Sequence, residues 1–89
     1  MVKVEIYSKG YCPYCKNSKA TLNHLGVKFE EYDITYNKEK ALEMRTRSNR
    51  QTVPQIFIDD YHVGGNDDLH LALQSGQLHK LLKINSANA

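Results

Sequence analysis

The sequence predicts an α/β domain, a small mixed sheet of four strands with helices on both faces, in the order βαβαββα. Two patterns predict it. Residues 2–34 read as strand, helix, strand, a unit that is parallel and right-handed in nearly all proteins. Residues 55–63 hold two short apolar runs flanking Asp59-Asp60-Tyr61, the signature of an antiparallel hairpin.

Taken in order, residues 2–8 alternate apolar and polar side chains, the period of a half-buried strand. The helix that follows has Cys12 near its N-cap and Pro13 at its first position, where a missing N–H costs nothing. Ala20, Leu22 and Leu25 supply its apolar stripe, His24 lies in its last turn, and Gly26 ends it. Residues 27–34 are the second strand. A second helix runs from Lys38 to about Ser48, with Ala41, Leu42 and Met44 inward, and Asn49 stops it. After the hairpin, Gly64-Gly65 turns the chain into a third helix. Asn66 is expected as its N-cap, with Asp67 and Asp68 in its first turn and Ser75-Gly76 at its end. A short helix over 77–83 follows. One domain is expected at 1–84, with 85–89 as a flexible tail.

Composition excludes several classes. The 89 residues are 40% hydrophobic and 25% charged, ordinary for a globular domain, and the net charge of +2 is too small to point to nucleic acid or membrane surfaces. Arg45, Arg47 and Arg50 read as the solvated face of a helix. There is no secretory apolar region, and no run approaches the roughly 20 apolar residues of a membrane span. A cytoplasmic monomer is expected. Two cysteines cannot complete a metal site, and His24, His62, His70 and His79 lack zinc-finger spacing, so no metal is expected.

The two cysteines carry the chemistry. They stand together as Cys12-Pro13-Tyr14-Cys15, opening a helix behind a strand. Residues three apart in the first turn share a face, which puts the sulfurs within disulfide reach. Such a bridge closes almost no loop of the unfolded chain and stabilises little. It is better explained as a bond that is made and broken. Cys12 is the better nucleophile, because free N–H groups and the positive end of the helix point at its sulfur. Lys9, three residues earlier, adds charge, whereas Lys16 and Lys19 read as solvated. A stabilised thiolate gains little as an attacker, since nucleophilicity falls with basicity, but it departs faster from a mixed disulfide. Cys15, one turn inside, is expected to be less exposed and less ionised, the resolving thiol.

Three separated elements, Cys12-Pro13-Tyr14-Cys15, Thr52-Val53-Pro54 and Gly64-Gly65-Asn66-Asp67-Asp68, make nearly the whole chain resemble the dithiol glutaredoxins. The resemblance implies the thioredoxin fold with strand order 2-1-3-4, a cis peptide before Pro54, and glutathione as co-substrate, with no tightly bound cofactor. It implies that glutathione meets Lys9, Tyr14, Thr52, Val53, Pro54, Gly65, Asn66, Asp67 and Asp68. Val53 would pair with the tripeptide through its main chain. The N-terminus of the third helix would take the γ-glutamyl carboxylate, and the acidic side chains its ammonium. Asp67 is the favoured contact, with Asp68 a partner of the helix dipole. One departure concerns Ala41, where relatives often carry Gln or Arg for the glycine carboxylate; Lys38 or Arg45 would substitute.

The function expected on these grounds is glutathione-dependent reduction of protein–glutathione mixed disulfides and of protein or small disulfides. Ribonucleotide reductase and other thiol-dependent reductases are candidate acceptors by resemblance, with oxidised glutathione recycled by glutathione reductase. Two alternatives stand beside it: a donor reduced by thioredoxin reductase, and a carrier of an iron–sulfur cluster held between two chains and two glutathiones.

Overall fold

A computed structural model describes residues 2–83; the expected tail at 85–89 lies outside the described residues. The elements are β1 (Val4–Ser8), α1 (Pro13–His24), β2 (Glu30–Asp33), α2 (Lys38–Ser48), β3 (Gln55–Ile58), β4 (Tyr61–Gly64), α3 (Asn66–Ser75) and α4 (Gln77–Leu82). They form one four-stranded mixed sheet in the order β2-β1-β3-β4. β1 pairs parallel with β2 and antiparallel with β3, and β3 pairs antiparallel with β4. This is the thioredoxin fold with the strand order expected.

The central strand departs from the half-buried reading, because all five of its residues are buried. The alternation is real, but it sorts side chains between two cores. Val4 and Ile6 pack with Leu22, Ile56, Ile58 and Leu69 on the face covered by α1, α3 and α4. Tyr7 packs with Ile34, Met44 and Phe57 on the face covered by α2. Glu5 shares the side of Tyr7, so strand geometry forces a carboxylate inward. Its counter-charge is Arg47, whose guanidinium donates to Glu5 at 3.1 and 3.2 Å, to the Tyr7 hydroxyl at 2.8 Å and to Asp60 at 3.0 Å, and lies 3.9 Å over the Phe57 ring. Arg47 is therefore a partner of the buried sheet, not part of a solvated face.

Other boundaries shift for local reasons. β2 begins at Glu30, because the Val27 N–H is spent on the Leu22 carbonyl in the turn that ends α1, and Val27 and Phe29 pack against the first core. On α1 the buried stripe is Cys15, Ser18 and Leu22, while Ala20 faces solvent. On α2 Leu42 is likewise outward, and Ala41, Met44 and Ser48 turn in. The hairpin turns on Asp59 and Asp60 alone, with φ of 48° and 69°, the left-handed pair that matches strand twist. α3 is capped by Gly65 rather than Asn66, whose side chain instead accepts a 2.8 Å hydrogen bond from the buried Ser18 hydroxyl. That bond ties α1 to the start of α3.

Candidate active site

The site begins where β1 ends. Cys12 donates its backbone N–H to the Lys9 carbonyl at 3.1 Å, closing a turn with Gly10 and Tyr11 at its corners. Extended backbone at Cys12 then hands the chain to α1, with Pro13 in its first turn. The first amides of a helix have no carbonyl behind them. Cys12 meets one: its sulfur accepts from the Cys15 N–H at 3.2 Å. The same sulfur lies 3.8 Å from the Val53 carbonyl, an acceptor for its thiol hydrogen. The Val53–Pro54 peptide is cis, as the resemblance implied.

The two thiols are free and inequivalent. Cys12 retains 8% exposure and Cys15 none, so an incoming disulfide meets Cys12. Burial, reinforced by a hydrogen bond with Cys12, pushes the Cys15 thiol up to about 12. Cys15 is thus a neutral thiol near pH 7.

Next to Cys12, through Val53, the structure gathers eight of the expected glutathione residues into one shallow groove of about 280 Å³: Tyr14, Thr52, Val53, Pro54, Gly65, Asn66, Asp67 and Asp68. Tyr14 stands exposed at the rim. Lys9 is not in that lining; its carbonyl serves the Cys12 turn. Lys38, Ala41 and Arg45 are absent from it as well. The basic residue that does line the groove is Arg50, which the sequence reading placed on a solvated face. Its nearness in the chain to Thr52 was the available signal. The Arg50 guanidinium donates to Asp68 at 2.9 Å, and Asp68 also accepts the Gly65 N–H at 3.0 Å. The hydrogen bond from Arg50, then that from Gly65, holds the Asp68 carboxyl below the usual range. Asp68 is committed to the cap, which leaves Asp67 as the exposed acid at the start of α3.

The groove floor has its own support. Gln55 is fully buried, donates to the Thr52 carbonyl at 3.0 Å and its hydroxyl at 3.2 Å, and meets His62 Nε2 at 2.7 Å. The imidazole stacks on Phe57, with ring centroids 4.9 Å apart. Gly64 (φ 121°) permits the turn into α3, and a Cβ there would run into the Asp68 carboxylate. Among the described residues there is no His/Cys/Asp/Glu group that could hold a metal ion, and no helix long and apolar enough to cross a membrane.

A protein-family model described as Glutaredoxin matches residues 4–63. The chain is 53% identical over 83 residues to Glutaredoxin 3 of Escherichia coli strain K12, covering 93% of this chain and 100% of that protein. It is similar to the solution structure of a glutaredoxin from Brucella melitensis, with a TM-score of 0.82 and 48% identity over 93% of this chain and 90% of that one. A crystal structure of a buckwheat glutaredoxin–glutathione complex matches with a TM-score of 0.84 and 25% identity, over 92% of this chain and 77% of that one.

Proposed function

The chain belongs to the glutaredoxin family of thiol–disulfide oxidoreductases, and from that premise we propose that it reduces protein–glutathione mixed disulfides with Cys12 as nucleophile and Cys15 as resolving thiol. The observation that carries the assignment is the inequivalence of the sulfurs. Cys12 keeps some exposure beside Val53 of the groove, with a helix-start amide on its sulfur, while Cys15 is enclosed and neutral.

In the first step the Cys12 thiolate attacks the glutathione sulfur of the mixed disulfide. A Cys12–glutathione bond forms, the substrate S–S bond breaks, and the protein thiolate leaves. A second glutathione thiolate then attacks that bond, regenerating Cys12 and releasing oxidised glutathione, which glutathione reductase returns. On a protein disulfide, the Cys12 thiolate attacks one substrate sulfur, the substrate S–S bond breaks and the other sulfur leaves as a thiolate; Cys15 then displaces the first substrate sulfur from Cys12. The Cys15 proton passes to the departing thiolate, and a Cys12–Cys15 disulfide remains.

Glutathione fits the groove in an extended pose, its main chain against Val53, its γ-glutamyl carboxylate at the first amides of α3 and its ammonium beside Asp67. Lys9, whose carbonyl closes the Cys12 turn, is the cation proposed for its glycine carboxylate, while Arg50 stays with Asp68 at the γ-glutamyl end. The buckwheat relative, solved as a glutathione complex, supports this choice of ligand. Thiol-dependent reductases such as ribonucleotide reductase are the acceptor class proposed, in the cytoplasm, with the chain acting as a monomer. A glutathione-coupled assay on a glutathionylated peptide tests the roles. Cys12→Ser should abolish turnover and Cys15→Ser should keep it while losing dithiol reduction; the reverse pattern overturns the assignment.

A further inference from the structure

A second groove opens beside the same turn, sharing no residue with the first. Gly10 and Tyr11, the corners of the turn that Cys12 closes, form one wall, and Asp33, Thr35, Tyr36 and Asn37 form the rest, enclosing about 430 Å³. Tyr11 is 69% exposed and Tyr36 is 98% exposed, so both side chains are open to solvent. Asp33 lines the same groove. Its Oδ1 accepts the Thr35 N–H at 2.9 Å and the Thr35 hydroxyl at 2.6 Å. Those bonds, the hydroxyl first, hold the carboxyl below its ordinary range. Its Oδ2 faces Gly10, where even a Cβ would sit 3.5 Å away, so the missing side chain keeps that oxygen open. Lys19, whose charge also reaches Asp33, is bonded to Glu31 at 2.8 Å.

An exposed carboxylate in a groove that two exposed tyrosines also line suits a long-stemmed cation. A mixed disulfide has two halves, and the first groove accounts for only the glutathione half. We propose that the second groove binds an arginine or lysine of the polypeptide half, and so selects glutathionylated substrates with a basic residue within about two positions of the modified cysteine. The reach is sufficient: Gly10 is two residues from Cys12, which places their Cα atoms within about 7.6 Å. The proposal rests on Cys12 being the nucleophile of the reading above.

Three glutathionylated peptides of one length, with Arg, Ser or Glu beside the cysteine, provide the test, together with a small mixed disulfide of glutathione and cysteine. The wild-type chain should turn over the Arg peptide with kcat/KM about fivefold to tenfold above the Glu peptide, a preference that shrinks at high salt. Asp33→Asn keeps the oxygen that accepts from Thr35 and removes the charge; it should abolish most of the preference and leave the small substrate unchanged. Tyr36→Ala should reduce the preference about twofold. No preference in the wild type, or a preference intact in Asp33→Asn, overturns the proposal. Failure to turn over the small disulfide would instead defeat the underlying assignment of Cys12, and the proposal with it.

Discussion

The imidazole of His62 and the carboxamide of Gln55 meet 2.7 Å apart beneath the segment that carries Val53 and the cis Pro54. The hydrogen positions follow from one fixed point. The Thr52 carbonyl can only accept, so the amide nitrogen of Gln55 faces it, its oxygen faces His62, and His62 Nε2 carries the hydrogen. A side chain ten residues from Thr52 thereby holds the groove floor in place.

Removing that donor should loosen the floor. His62→Leu leaves the Gln55 oxygen buried without its partner, a loss of about 1–3 kcal/mol in urea unfolding. The KM for glutathione should rise severalfold with kcat little changed, since the thiols are untouched. Burial, then the charge of Arg50, lowers the basicity of His62 from its ordinary 6.5. Its contribution is present above that pH and lost as pH falls through the folded value. An unaltered KM would disconnect His62 from the site.

Alkylation should distinguish the sulfurs. At pH 7–8 a small haloacetamide is expected to give one adduct per native chain, at Cys12, by mass spectrometry. A native double adduct would contradict the burial of Cys15. Because the folded value of the Cys15 thiol is raised to about 12, its stabilisation is complete below its ordinary 9.0 and is lost as pH climbs between them. Tyr7, also pushed up to about 12 by burial first, acts in the same direction. Cys15→Ser should therefore flatten only part of the alkaline decline.

Arg47→Met should cost about 2–3 kcal/mol at pH 7, somewhat less than a fully enclosed pair, because its side chain keeps 21% exposure against 6% for Glu5. Burial works against the Glu5 carboxylate, but the Arg47 hydrogen bond, with that of Tyr32, keeps it below its ordinary 4.5. This stabilisation is present above that value and is lost as pH falls through the folded one. In the variant the lowering by Arg47 is gone, and burial, opposed now only by the Tyr32 hydrogen bond and the charge of Lys3, moves the carboxyl upward. The gap in unfolding free energy between wild type and variant should narrow from pH 7 to pH 4. A constant gap would mean that Arg47 acts by packing only.

Gly64→Ala places a Cβ against the Asp68 carboxylate at a φ of 121°. Asp68 must then leave the Gly65 N–H or Arg50, and the expected cost is about 1–3 kcal/mol. Thermal unfolding should show it as a fall of about 4–8 °C per kcal/mol. A Tm equal to wild type would show that the cap is dispensable.

The sheet order, the helix entry at Cys12 and the segments that line the groove beside it were legible because each has a local signature: an apolar run, a proline at a helix start, a pair of glycines. What escaped was decided by contacts across the fold. Arg47 and Arg50 look alike in sequence, and only the inward turn of Glu5 and the capping role of Asp68 give them different partners. Asn66 looks like a cap, but Ser18 from α1 claims its side chain and Gly65 takes the cap. Leu42 belongs to an apolar trio by composition, yet 100° of rotation per residue carries it to solvent while Met44 turns in.

β2 is an outer strand of the sheet, and three of its four residues, Glu30, Glu31 and Asp33, are carboxylates. Any second copy adding itself there would align acid with acid while its backbone sought hydrogen bonds. The strand that lends Asp33 to the second groove is also a repellent margin, which opposes growth of the sheet from chain to chain even where the protein is crowded.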